Sequence, residues 1–121
     1  MIFINDNKSG HASTSYEHLI AHGHKDIEMT SIDCITLENF SLQNNIKYCD
    51  RLYIDTEGLD CSILLDFDYN KYDIKYIEFE KIHSDGAFKT GDNYYKCIKR
   101  FTVFGYIVRD SGQFNCIAEK K

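Results

Sequence analysis

The stretch from Asp50 to Glu80, DRLYIDTEGLDCSILLDFDYNKYDIKYIEFE, constrains the fold more than any other part of this chain. Arg51-Leu52-Tyr53-Ile54 is a short β-favouring run that stops at Asp55-Thr56-Glu57-Gly58. Leu59, Ile63, Leu64 and Phe67 then recur at helical spacing and line one face of a short helix. Turn-prone residues from Asp66 to Asp73 break that pattern, and Ile74 to Phe79 is again rich in β-branched and aromatic residues. Strand, helix and strand within about thirty residues make a βαβ unit, whose strands run parallel through a right-handed crossover. In open α/β sheets ligands bind outside the carboxyl ends of the strands. Here those ends carry Asp55 and Glu57 on the first strand, and Glu78 and Glu80 on the second, followed by Lys81-Ile82-His83-Ser84-Asp85-Gly86. Gly58 permits a tight exit from the first strand. The acids have a second reading, in which Asp55 or Thr56 caps the following helix.

At 121 residues and 43% hydrophobic the chain suits one folded domain. A net charge of -5, with Lys71, Lys75, Lys81, Lys89, Lys96, Lys99 and Arg100 scattered among acids, argues against nucleic acid as partner. No apolar run approaches the ~20 residues that span a bilayer. The opening MIFINDNKSG lacks the plan of a secretory signal, so a cytoplasmic protein without a membrane partner is expected. Cys34, Cys49, Cys61, Cys97 and Cys116 form no C-x-x-C pair and read as reduced, mostly buried thiols.

The remainder of the chain falls into order around the central unit. Met1 to Ile4 is apolar and Asn5 to Gly10 is dense in turn formers. Ser13, Thr14 or Ser15 can cap a helix through Tyr16, Leu19 and Ile20 to Gly23. That segment holds His11, His18, His22 and His24. His18 and His22, four apart, would share a face as metal-binding pairs do. No H-E-x-x-H arrangement or third ligand at a diagnostic distance accompanies them, so no metal site is expected and a solvated loop or lid is the reading. Ile27 to Ile35 reads as a strand, and Thr36 as the cap of a short helix with Leu37 and Phe40 that Asn44-Asn45 closes. Downstream, Asn93 can cap a helix in which Tyr94, Ile98 and Phe101 recur. Tyr106 to Val108, the turn Asp110-Ser111-Gly112 and Phe114 to Ala118 carry a hairpin signature.

These segments together resemble the C-terminal half of the FkbM family of S-adenosylmethionine-dependent methyltransferases. The likeness rests on ITLENF (35–40), NIKYCDRLYIDTEG (45–58), the helix to Phe67 and IKYIEFE (74–80). FIND..SGHAST at the start and GYIVRDSGQFNCIAE near the end are similar to that family's upstream loop region and closing hairpin. The resemblance implies an α/β fold: a partial class I, Rossmann-like methyltransferase sheet with a parallel βαβ core closing in a C-terminal antiparallel hairpin. It implies a single domain over 1–121, with 1–35 an N-terminal loop and strand region and 36–121 the C-terminal half of a methyltransferase-like domain. It also implies S-adenosylmethionine as cofactor, with Asp55 and Glu57 beside it and Glu80 and His83 as catalytic groups on the acceptor side. His83 is a candidate base near neutral pH, although its place in a loop also fits a solvated residue. A small molecule or sugar would accept the methyl group.

One element of the family pattern is missing. All seven glycines are isolated and no G-x-G occurs, so the loop that lets backbone approach a nucleotide cofactor is not in this sequence. The expectation is therefore a domain inactive alone, or one that needs a partner. Its incomplete sheet would expose a strand edge that another copy, a separate N-terminal-half polypeptide or the Met1 to Gly23 segment could cover. The competing reading is a small acidic protein-binding module, an immunity or inhibitor protein, whose charge steers it to basic partners.

Overall fold

Among the described residues two sheets organise the chain: one of three strands near the N-terminus, and a mixed sheet of four strands that carries the core. The computed structural model describes the backbone of residues 2–5 and 12–121, and side chains from Ala12 onward. Most of the turn-rich Asn5 to Gly10 stretch, together with His11, therefore lies outside the described residues.

The first sheet has the order β2-β1-β3, with β1 Ile2–Asn5 pairing antiparallel to both β2 Ala12–Ser13 and β3 Ile27–Thr30. Between β2 and β3 runs α1, Tyr16–Ala21, and the Ser15 side chain caps it by accepting from the His18 amide. The strand expected over Ile27 to Ile35 ends at Thr30, and Ser31–Thr36 has no regular structure. Its apolar spacing has no sheet to pack on there, and Ile32 and Ile35 are exposed. Thr36 caps α2, Leu37–Gln43, through the Asn39 amide, and Asn45 leaves that helix in the left-handed region at φ 54°.

The second sheet has the order β4-β5-β7-β6. β4 Tyr48–Ile54 and β5 Asp73–Glu80 are parallel neighbours, bridged by α3 Asp60–Asp66, as the spacing of Asp50 to Glu80 predicts. After β5 come α4 Asp92–Val103, β6 Tyr106–Ser111 and β7 Asn115–Lys120. The last two pair antiparallel, and β7 returns beside β5. The hairpin turn falls over 112–114, slightly later than the Asp110-Ser111-Gly112 reading. The fold is thus mixed α/β with a four-stranded mixed sheet.

The core lies where α3 and α4 cover this sheet. Leu64, Ile77, Phe79, Phe101, Cys61, Cys97 and Cys116 are all essentially sealed from solvent. All five cysteines are free thiols, and Cys34 alone is exposed, within the irregular 31–36 segment. The opposite face of the sheet is polar and aromatic. Arg51 lies 5.2 Å over the Tyr76 ring, with Tyr53 beside it and Glu78 accepting from the Tyr76 hydroxyl. Among the described residues β4 pairs on one side only and forms an edge of the sheet. No helix is long and apolar enough to cross a membrane, among the described residues.

Candidate functional site

Parallel pairing puts the carboxyl ends of β4 and β5 side by side, and one buried acid ties them together. Asp60, in the first turn of α3, is 1% exposed. Its Oδ1 accepts from the Thr56 amide at 2.8 Å and from the Thr56 hydroxyl, while its Oδ2 accepts from the Glu80 amide at 2.8 Å. The Thr56 hydroxyl in turn accepts from the Leu59 amide. Asp60 therefore clamps the exit of β4 to the end of β5, and Asp55 makes no capping bond to the helix. The exit loop is also shaped by backbone sterics. Glu57 sits at φ 55° and Gly58 at φ 121°, and a Cβ on Gly58 would come 3.3 Å from the His83 carbonyl oxygen. Only glycine combines that conformation with that approach.

On this frame Glu57 and Glu80 gather at the rim, while Glu78, also expected at this strand end, turns to the opposite face and accepts from the Tyr76 hydroxyl. Glu57, Glu80 and His83 each place a ligand-capable atom within 4.8 Å of the others. Glu80 Oε2 is buried without a hydrogen-bond partner. Burial, with the charges of Glu57, Asp55 and Asp60, pushes the Glu80 carboxyl up to about 7. Burial and the charges of Glu57 and Asp60 likewise raise Asp55. Lys81, next in sequence, does not offset this, because it pairs with Asp110 at 2.7 Å.

His83 is buried, not solvated. Its Nδ1 accepts from the Phe88 amide at 2.8 Å, which leaves the hydrogen of the neutral ring on Nε2. Burial and the neighbouring His18 ring lower its pKa and hold it neutral. With Nδ1 occupied, the ring is arranged to donate, and the base role expected for it has no lone pair to use until Phe88 withdraws.

The N-terminal helix reaches this rim, which sequence spacing gives no sign of. His18 is buried and places Nε2 2.9 Å from Glu57 Oε2. Its ring meets His83 edge to face with centroids 4.3 Å apart, and His22 lies 4.3 Å from His18 and 5.4 Å from His83. The solvated loop or lid expected of this segment is replaced, for His18, by a buried contact.

The raised Glu80 carboxyl sets a pH dependence whose sign follows from linkage. Its folded pKa exceeds the ordinary value of 4.5, so the folded state binds the extra proton. Stability is therefore fully present below about 4.5 and is lost as pH rises through about 7. With solvent screening the span is about 1 kcal/mol. Urea melts of Glu80→Gln, run with a chelator, are expected to be flatter than the parent over that window; an equally steep parent and variant would exclude Glu80 as the source.

Comparison with known proteins bears on this geometry. A family model described as the methyltransferase FkbM domain matches residues 2–108 of the 121. No curated protein and no solved structure matches significantly.

Proposed function

The chain belongs to the methyltransferase FkbM domain family, and from that premise we propose that it supplies the acidic acceptor-side rim of an S-adenosylmethionine-dependent methyl transfer domain, corresponding to the C-terminal half of such a domain. The observation that carries this reading is the parallel β4–α3–β5 unit presenting Asp55, Glu57 and Glu80 at one rim, with a hairpin on the far side of β5. In a Rossmann-like arrangement that rim faces the ligand crevice. Glu80, with a buried unpartnered oxygen, is the group placed to take a proton from an acceptor hydroxyl. Asp55 and Glu57 lie beside the acceptor and cofactor, and His83 contributes a ring N–H. The acceptor in this reading is a small molecule or sugar hydroxyl.

The cofactor, when bound, supplies an electrophilic methyl group on a sulfonium. The described residues do not by themselves fit it. The cavity at the rim, lined by Ala12, His18, Leu19, His22 and Glu57, holds only about 60 Å³. That is far below the few hundred Å³ of a small-molecule site. A larger cavity of about 610 Å³ lies along α2 and α3, lined mainly by Ile35, Leu37, Phe40, Leu59, Ile63 and Phe67. Neither Asp55, Glu57 nor Glu80 lines it. No paired glycines are available to cradle a nucleoside. The cradle must come from other residues, of the same polypeptide or of a partner, and the β4 edge is where a further strand can join.

Isothermal titration calorimetry of this chain with S-adenosylmethionine is expected to show no binding at about 100 µM ligand. Micromolar affinity would overturn the division of labour. A second reading, a small acidic protein-binding module, draws on the charge of -5 and the exposed Tyr48, Tyr53 and Tyr95. It is favoured if the chain associates stably with a basic protein and never with a cofactor-binding half.

A further inference from the structure

Tyr72 carries a hydroxyl to which neither the fold nor the methyl transfer reading gives a partner. The residue is 5% exposed, and its ring stacks on Phe67 with centroids 4.9 Å apart and planes 26° from parallel. A phenol oxygen lies on the axis of its ring, so this stacking fixes where the hydroxyl sits. It is buried and has no hydrogen-bond partner among the described residues. A hydroxyl taken out of water and left unpaired costs free energy, and a ligand oxygen that reaches it recovers that cost.

Space for such a ligand adjoins it. Tyr72 lines a cavity of about 90 Å³ whose other walls include Leu37, Phe40, Ile46, Leu52 and Ile74. Leu37, Phe40 and Phe67 line both this cavity and the one of about 610 Å³ along α2 and α3. The larger one has the size of a small-molecule site, roughly 300–1,000 Å³, and such sites combine an apolar lining with a few convergent polar groups. None of Asp55, Glu57, Glu80 and His83 lines either cavity, so this site is separate from the acidic rim.

Size and charge narrow the ligand. A dry cavity of roughly 150 Å³ admits a benzene ring, so one of about 90 Å³ takes the end of a linear chain rather than a ring. Other polar groups on its walls are committed elsewhere: the Ser41 hydroxyl donates to the Leu37 carbonyl at 2.9 Å, and Asp73 pairs with Lys120 at 2.6 Å. Lys47 also lines it, but this residue is exposed and its charge stays in water. Glu38 and Asp66 line the larger cavity, and Lys71 answers Glu38 at 2.8 Å. An anionic head would pass these acids and meet a neutral hydroxyl inside, and a buried unpaired charge costs far more than a buried hydroxyl. We propose that the two cavities together bind a linear aliphatic alcohol, its oxygen on the Tyr72 hydroxyl and its chain along the apolar walls of α2 and α3. This inference stands apart from the methyl transfer reading and does not require it.

The test titrates the chain with 1-octanol, followed by NMR amide shifts, and with octanoate as a charged chain of the same length. Octanol is expected to bind saturably with a Kd below about 1 mM, the scale set by the free energy available per heavy atom. It should shift the amides of Leu37, Phe40 and Tyr72 and slow alkylation of Cys34, an exposed thiol that lines the larger cavity. Octanoate is expected to bind at least ~10-fold more weakly. Tyr72→Phe keeps the ring, so it should melt no lower than the parent and weaken octanol about three- to tenfold, the scale of one neutral hydrogen bond. Ile35→Asp, at an exposed cavity position in the irregular 31–36 segment, should weaken octanol about tenfold with unchanged circular dichroism. No saturable binding up to about 2 mM would leave the Tyr72 hydroxyl to a water and overturn the site. Equal affinity for Tyr72→Phe, or octanoate bound as tightly as octanol, would overturn the assigned ligand. A dimer by light scattering that protects these amides would give the face to a second copy and overturn the proposal equally.

Discussion

Asp60→Ala is expected to cost about 3–6 kcal/mol, the largest loss of any single change at the rim. The carboxylate is itself sealed from solvent and accepts from two amides, Thr56 and Glu80, and from the Thr56 hydroxyl, on half-buried partners. Hydrogen bonds to a charged group contribute about 1.5–3 kcal/mol each, and donors left buried without partners add their desolvation cost. A domain of this size has about 5–15 kcal/mol in total, so the variant should melt at least ~10 °C lower. Asp60→Asn keeps one carbonyl oxygen and sets an NH2 against one amide, so roughly half the loss is expected. Thermal melts order the three proteins, and exchange at the Glu80 amide locates the damage. A melt for Asp60→Ala within about 3 °C of the parent would show that the strand ends hold together without the clamp. Because Asp60 touches no surface where a ligand could sit, its effect on any bound molecule would come through the positions of Thr56 and Glu80.

Asp60 shows what sequence reading can and cannot reach. An acid in the first turn of a helix is explained locally by the helix dipole, so nothing nearby signals that Asp60 also holds an amide twenty residues away. Where the determinants were local, the sequence was legible. Ser15 and Thr36 cap their helices, the change of period between 50 and 80 gives strand, helix and strand, and the tail forms a hairpin. Where a local signal competed with a distant partner, it was not. Asn93 looks like the cap of α4, yet its side chain bonds to the Ser84 carbonyl and the amides at that helix end are taken by Asp85. The candidate site divides the same way. Asp55, Glu57 and Glu80 follow from strand ends, because pairing in parallel register fixes where those ends lie. The contact of His18 with Glu57 spans 39 positions and depends on how α1 meets the β4 exit, which no periodicity encodes.

Asp85→Ala, by the same physics, should cost about 2–4 kcal/mol, but in a different place. Its Oδ2 accepts from the Gly91 amide at 2.6 Å and the Tyr94 amide at 3.3 Å, and its Oδ1 from the Asn93 amide at 2.7 Å. These are the orphan donors at the start of α4, so the carboxylate caps a helix while anchoring the 84–90 loop. Gly91 permits the approach, since a Cβ there would come 3.3 Å from the Asp85 carboxyl carbon. Burial pulls the carboxyl up, but the amides of Asn93, Gly91 and Tyr94 outweigh it and hold the pKa below the ordinary 3.8. A depressed folded value means stabilisation present above about 3.8 and lost as pH falls through the folded pKa. Asp85→Asn should therefore show a shallower acid limb than the parent. Removing the anchor also frees the loop that delivers the Phe88 amide to His83. Faster exchange at Phe88 and at the first turn of α4, with Glu80 still protected, is the expected signature. Exchange that rises equally at Glu80 would mean that the loop and the strand junction open together, and that the two carboxylates support a single cooperative unit.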